Sequence, residues 1–87
     1  MYVLLVYDVN EKRVTKALKA CRRYLNWVQN SVFEGELTPA KLKELKIRLK
    51  DLMNDDEDSV LIYTLRDQSL LTKEVLGQER NPTDQFL

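Results

Sequence analysis

The first ten residues constrain the fold of this 87-residue chain more than any other stretch, because an apolar run in them ends in an acid. A half-exposed strand would alternate apolar and polar residues, whereas a continuous apolar run predicts a strand covered on both faces. We therefore expect a strand over residues 2–9 in the middle of a sheet. Since side chains alternate along a strand, Asp8 is expected on the face of the strand opposite to that of Tyr7, at the carboxyl rim of the sheet.

Asp8 has two interpretations at this position. In the first, Asp8 or Asn10 caps the following helix by accepting hydrogen bonds from its free N–H groups. In the second, the Asp8 carboxylate binds a divalent cation, for which hard oxygen ligands are suited, at a rim where a phosphate could reach it. An isolated acid favours the capping interpretation, so the rest of the chain must decide.

Histidine is absent from the chain, which excludes Ser-His-Asp and Cys-His mechanisms and every histidine metal site. Catalysis would therefore rest on carboxylates, Lys, Arg, Tyr or Ser, most simply with a metal held by oxygen. The single cysteine, Cys21, cannot form an internal disulfide. Its helical spacing from Ala17 and Leu18 predicts a place in the core.

The length and the 44% hydrophobic content suit one small domain, which we place at residues 1–80 with a tail at residues 81–87. A domain of this size buries only about 60–65% of its unfolded surface, so oligomerisation would stabilise it. No apolar stretch is long enough to span a membrane, and the N-terminus lacks a basic leader and a small-residue cleavage site. We therefore expect a cytoplasmic protein without membrane contact.

Charge is segregated along the chain although the net charge is zero. Residues 11–23 hold six bases and one acid, and residues 51–58 hold five acids and no base. A charged run is usually a solvated face. A basic helix that begins beside Asp8 could instead hold a phosphate backbone near the acid. The bases expected to bind nucleic acid are Lys12, Arg13, Lys16 and Lys19.

Periodicity and turn residues predict the remaining elements. Apolar residues three and four apart predict a helix over residues 11–24, and residues 27–29 and 32–37 resemble two short strands. Thr38 followed by Pro39 predicts the start of a second helix with a leucine face. An acidic loop at residues 54–58 then leads into an apolar strand at residues 59–65.

The resulting order, βαββαβ, predicts an α+β ferredoxin-like domain whose strands lie in the spatial order four, one, three, two. Asp8 should then neighbour Asn30, Ser31 and Ser59. Strand four would be an exposed apolar edge, which soluble proteins rarely leave uncovered. An additional C-terminal strand at residues 72–77 could cover it in its own protomer or in a partner, which predicts a homodimer.

The chain resembles the Cas-two family of CRISPR-associated proteins at three places. These are Tyr7 and Asp8 at the end of strand one, a terminal segment after residues 59–65, and the stretch VQNSVFEG at residues 28–35. The resemblance covers nearly the whole chain. It implies a homodimer that bridges subunits of the CRISPR integrase during spacer acquisition, and in some members a metal-dependent nuclease acting on RNA or DNA.

The resemblance also implies roles for individual residues. Asp8 of each protomer would face the dimer axis and bind Mg2+, and Asp8 and Tyr7 would be the catalytic residues. Tyr7 and Phe33 would line the same cleft, where Phe33 would contact the nucleic acid. Arg13 matches a basic position early in helix one. Many relatives have a base in place of Trp27, which would stack or pack here instead.

Three functions remain open from sequence: an adaptation scaffold, a metal-dependent phosphodiesterase, and a toxin-type ribonuclease on the same fold. The stretch at residues 28–35 favours the scaffold. Its integrase partner would dock on apolar residues near the C-terminus, since exposed apolar residues often mark a binding site. These residues are Leu76, Phe86 and Leu87.

Overall fold

The computed structural model describes residues 1–80, and it confirms the predicted order βαββαβ. A short 3-10 turn, Gln68–Leu70, follows the last strand. No helix in this part of the chain has the length and apolarity needed to cross a membrane. The elements are β1 (Tyr2–Asp8), α1 (Glu11–Arg22), β2 (Asn26–Gln29), β3 (Val32–Glu36), α2 (Pro39–Leu52) and β4 (Ser59–Leu65).

The four strands form one antiparallel sheet in the order β2-β3-β1-β4, as predicted. β1 lies between β3 and β4, so its apolar run occupies the centre of the sheet. In the register, Leu5 lies opposite both Phe33 of β3 and Ile62 of β4. Asp8 lies opposite Ser59, which confirms one of its expected neighbours.

The hydrophobic core lies between the helices and one face of the sheet. Residues from α1, α2 and the helix-facing side of the strands form a single buried cluster, and burial of this apolar area stabilises the domain. The cluster comprises Val3, Leu5, Tyr7, Ala17, Ala20, Cys21, Leu25, Phe33, Leu37, Leu42, Leu45 and Leu49.

The opposite face of the sheet corrects the expectation that β1 is covered on both faces. Leu4 and Val6 of β1 point to this open face and are partly exposed. Their neighbours on β4, Leu61 and Tyr63, are 52% and 55% exposed. The apolar run of β1 therefore reflects one face buried in the core and a second apolar face that the single chain leaves open.

Both helices begin at the residues that the sequence predicts. The Asn10 side chain caps α1 by accepting a hydrogen bond of 3.0 Å from the Lys12 N–H. Thr38 caps α2 through its Oγ1, which accepts from the Lys41 N–H at 3.2 Å. Since Asn10 satisfies the start of α1, the capping interpretation applies to Asn10 and not to Asp8.

The acidic segment at residues 54–58, predicted as a loop, forms an ordered turn. The Asn54 carbonyl accepts hydrogen bonds from the N–H groups of Glu57 and Asp58, at 3.0 and 2.8 Å. The Asp58 side chain is fully buried and forms an ion pair with Arg13, with Nε 2.6 Å from Oδ2. A buried carboxylate requires such pairing, which explains why this turn is ordered.

Residues 72–77 form no strand within the chain, which corrects the expectation that they add to β4 of their own protomer. Residues 71–76 border a cavity of about 380 Å³ over the open face, whose other wall includes Leu4 and Val32. The Lys73 ammonium lies 3.7 Å from a Glu34 carboxylate oxygen on that face. Pairing with a partner's sheet edge stays a prediction, and the predicted tail at residues 81–87 lies outside the described residues.

Candidate functional site

Asp8 is the last residue of β1 and is exposed at the rim of the open face. Its carboxylate forms no side-chain hydrogen bond or ion pair with any of residues 1–80. This isolation contrasts with the nearby acid Asp58, which is buried and paired. No side-chain contact within residues 1–80 therefore accounts for an acid at this position, and the Asp8 carboxylate is available to a ligand.

An open cleft of about 350 Å³ lies beside Asp8, with Asn30 and Ser31 on its other side, as predicted. The turn between β2 and β3 brings these two residues there, since the Tyr7 N–H donates to the Ser31 carbonyl at 3.1 Å. Asn30 has a φ of 45°, a left-handed conformation that asparagine tolerates in turns. The cleft is thus lined by residues that carry oxygen atoms, and a carboxylate such as that of Asp8 is the ligand through which proteins bind Mg2+.

Trp27 fixes the same turn. Its indole Nε1 donates a hydrogen bond of 2.9 Å to the Asn30 carbonyl, and its ring packs on the edge of the core. Trp27 therefore packs within the domain, which is one of the two roles expected for it. Val14 also lines the cleft and is partly exposed, although its spacing predicts a buried position.

Tyr7 and Phe33 stack on each other in the core, with ring centroids 6.1 Å apart and an angle of 26° between the rings. Phe33 is 0% exposed, so the structure corrects its expected contact with nucleic acid: it has no free surface and serves the core. The register explains this placement, because Phe33 lies opposite Leu5, which also faces the helices.

Tyr7 borders the cleft, but its ring is buried on the helix side of β1. Burial raises the pKa of its hydroxyl, and the nearby Cys21 raises it further while Arg22 opposes the shift. The hydroxyl therefore keeps its proton near neutral pH and can donate a hydrogen bond but not act as a base. Burial also raises the pKa of the Cys21 thiol to about 12, in agreement with the core position predicted for it.

The basic residues of α1 separate into two groups. The Arg13 guanidinium is held by Asp58 and by Glu57, whose Oε2 lies 2.9 Å from Nη2, so it is occupied within the domain. Lys12, Lys16 and Lys19 are exposed and form no ion pair in the described part of the chain. These three lysines can neutralise phosphates, whereas the geometry gives Arg13 a structural role.

The described part of one chain, residues 1–80, does not supply a complete metal site. Residues 1–80 contain no cluster of three or more acidic, cysteine or histidine side chains that could together hold a metal ion. Asp8 contributes one carboxylate, and the remaining oxygens of the cleft come from uncharged groups.

Sequence reasoning missed Asp58, which organises the region behind the site. Its Oδ1 accepts a hydrogen bond of 2.8 Å from the Asn10 N–H, and its Oδ2 accepts one of 2.9 Å from the Asn54 N–H. Asp58 thereby joins the loop after β1 to the turn before β4. Its place directly before an apolar strand was the only available signal, and the neighbouring acids obscured it.

Comparison with known proteins gives consistent matches. The sequence model of the family CRISPR associated protein Cas2 matches residues 1–73. The CRISPR-associated endoribonuclease Cas2 of Thermotoga maritima is 54% identical over 92% of each chain. That of Dictyoglomus turgidum is 46% identical over 100% of each chain.

A solved structure supports the same assignment. A crystal structure of a Cas2 protein superposes with a TM-score of 0.87 at 49% identity, covering 94% of this chain and 92% of the other. The similarity therefore extends over most of the described fold. This chain belongs to the Cas2 family of CRISPR-associated proteins.

Proposed function

We propose that this protein is a homodimeric, metal-dependent nuclease of the CRISPR system, with its active site formed by Asp8 of both protomers. The observation that carries the proposal is the exposed Asp8 carboxylate, which lacks a partner among residues 1–80 and lies at the rim of an open apolar face. The relatives' description as endoribonucleases supports it.

The exposed apolar side chains of the open face support dimerisation through it, because association would bury them. Leu61 and Tyr63 expose large apolar surfaces beside the partly exposed Leu4 and Val6. Symmetric packing of two such faces would remove this apolar area from water, which stabilises association. Asp8 lies at the end of the same face, so a symmetric dimer can place two Asp8 carboxylates near its axis.

The chemistry follows from the residues of the cleft. The two Asp8 carboxylates would hold Mg2+, which activates water and neutralises charge on the phosphate when bound. Lys12, in the first turn of α1, would hold the phosphate backbone beside the cleft. The Tyr7 hydroxyl stays protonated and can only donate a hydrogen bond.

The decisive experiment compares Asp8→Asn with Asp55→Asn, an exposed acid of the acidic turn, on single-stranded RNA and on DNA with Mg2+ or EDTA. Loss of one charge-stabilising group typically lowers turnover by about a hundredfold or more, so Asp8→Asn should do so without changing stability. Asp55→Asn should cleave like wild type. Cleavage that survives both Asp8→Asn and EDTA would contradict the proposal.

A mixing experiment tests whether the site is shared. If both carboxylates are needed, equal mixing of wild-type and Asp8→Asn protomers leaves activity only in wild-type dimers, about a quarter of the total. Two independent sites would instead leave about half of the activity. The second result would exclude a site built from two Asp8 side chains.

A second function, a scaffold for the CRISPR integrase in spacer acquisition, is favoured by a different observation. Leu76 is 93% exposed, and it follows the last strand in sequence and borders the cavity over the open face. An apolar side chain in that position suits docking of a protein partner. The scaffold requires dimerisation and DNA binding but not Asp8, so the two functions are separable by mutation.

A toxin-type ribonuclease would cleave RNA without any integrase association.

A further inference from the structure

A basic groove lies between α1 and α2, on the side of the sheet opposite the open face. It has a volume of about 330 Å³. α1 contributes Lys16 and Lys19, the residue that caps its C-terminus is Arg23, and α2 contributes Arg48 and a single acid, Asp51. Four cations against one acid give the groove a strong positive charge in a protein whose net charge is zero.

The groove is concave because small and apolar residues form its floor. Ala20 of α1 is buried between the cations, and its methyl group leaves the space open. Arg48 is held in place, since its Nε donates a hydrogen bond of 2.8 Å to the Tyr24 hydroxyl. A guanidinium fixed in this way loses less conformational freedom when it binds an anion.

The groove continues toward the cleft along α1. Lys12, Lys16, Lys19 and Arg23 are spaced four, three and four residues apart, so they follow one stripe on the exposed side of the helix. At 1.5 Å per residue this stripe is about 16 Å long. Charges spread over that length suit a series of phosphates better than one small anion.

We propose that the groove between α1 and α2 binds the sugar-phosphate backbone of a nucleic-acid strand, and that Arg23 and Arg48 are its principal contacts. This inference rests on the proposed nucleic-acid function and extends it to the second helix. Because the groove and the open face lie on opposite sides of the sheet, association through the open face leaves the groove accessible. The recognition is by charge, without reading of base sequence.

The test measures binding of the full-length protein to a short DNA duplex of mixed sequence by fluorescence anisotropy at several salt concentrations. Arg23→Glu with Arg48→Glu should weaken binding by about tenfold or more and flatten the log-affinity against log-salt slope. The matched control is Lys43→Glu with Lys46→Glu, which changes the charge equally at exposed positions of α2 outside the groove. The control should retain most of the affinity.

A variant that increases affinity keeps the test independent of folding defects. Asp51→Lys removes the one acid of the groove and should tighten binding by about threefold or more, whereas Asp55→Lys in the acidic turn should tighten it less. Equal effects for groove and control variants would overturn the groove while leaving the proposed nuclease intact. Absence of duplex binding by the wild-type protein at low salt would overturn the groove, whereas the proposed nuclease is tested separately by the cleavage of single-stranded RNA.

Discussion

The Arg13 guanidinium and the Asp58 carboxylate join the first turn of α1 to the residue before β4. Nε lies 2.6 Å from Oδ2 and Nη2 lies 3.2 Å from Oδ1, so the pair is bidentate. The two residues are 45 positions apart in sequence, and the Asp58 side chain is fully buried. This contact fixes the loop after β1, and therefore the position of Asp8, from behind the cleft.

Stability should depend on pH through Asp58. Its hydrogen bond with Arg13 holds the pKa of the Asp58 carboxyl well below the usual range, with help from the Asn54 and Asn10 N–H groups and against the effect of burial. A lowered pKa in the folded state means that stabilisation is complete above the unfolded value of about 3.9 and is lost as pH falls below it. The urea concentration at the denaturation midpoint should therefore decrease once the pH falls below about 4.

Asp58→Asn should reduce stability at neutral pH, and it should make the further loss of stability at acidic pH smaller. The control, Asp55→Asn, removes an exposed carboxylate of the same turn and should leave the midpoint at neutral pH unchanged. If Asp58→Asn and wild type have the same acid dependence, the ion pair with Arg13 does not stabilise the domain. Denaturation followed by circular dichroism measures both effects.

Substitution of Phe33 separates a core role from a nucleic-acid contact. Phe33→Ala should destabilise the domain by about 3–5 kcal/mol, the cost typical of removing a buried aromatic ring. Phe33→Leu keeps much of the apolar volume and should leave nucleic-acid affinity unchanged. A stable Phe33→Leu protein with strongly reduced affinity would instead restore the contact that the family resemblance implies.

The sequence predicts most of the fold because its strongest signals are local. The apolar run of β1, the cap at Thr38 and the leucine face of α2 each specify an element from adjacent residues. The strand order follows once those elements are known. Asp8 was correctly placed beside Asn30 and Ser31, because strand direction alone brings these residues to one rim.

The residues that sequence reasoning misplaced depend on long-range contacts. Asp58 looks like its exposed acidic neighbours until Arg13 is known to reach it. The second face of β1 looks buried in a sequence, because an apolar face awaiting a partner chain and an apolar core face have the same composition. Phe33 could have been placed in the core from its register with Leu5, but the motif around it suggested a site residue.

Charge on the open face should prevent self-association. Leu61→Glu with Tyr63→Glu would place four like charges in a symmetric interface, and repulsion together with lost apolar area should give a monomer. Light scattering at micromolar concentration reports the mass. Ile47→Glu, at an exposed apolar position on α2, is the control and should remain dimeric. A wild-type monomer would exclude the shared Asp8 site.

Binding to nucleic acid should become less dependent on salt when the charges of the first two lysines of α1 are reversed. Each lost phosphate contact flattens the slope of log affinity against log salt by about 0.7–0.9, so Lys12→Glu with Lys16→Glu should flatten it by about 1.4–1.8. Both side chains are exposed, so the fold should be unaffected. An unchanged slope would place the phosphates on another surface.

The scaffold function should depend on the C-terminal segment and be independent of Asp8. Leu76 is 93% exposed, and Phe86 and Leu87 are the apolar residues at the end of the chain. Truncation after Arg80 retains every described residue of the core and of the open face, so the protein should fold and dimerise as before. Its association with the CRISPR integrase, measured by co-purification, should weaken, and spacer acquisition in cells should fall with it.

Leu76→Ser in the full-length chain should have a smaller effect in the same direction, since it removes one apolar contact of the docking segment. Asp8→Asn should leave both integrase association and acquisition close to wild type, because an exposed carboxylate at the rim of the sheet supports neither the dimer nor the tail. The opposite pattern, with acquisition lost in Asp8→Asn and insensitive to truncation, would contradict the scaffold. Nucleic-acid cleavage at Asp8 would then be the activity on which acquisition depends.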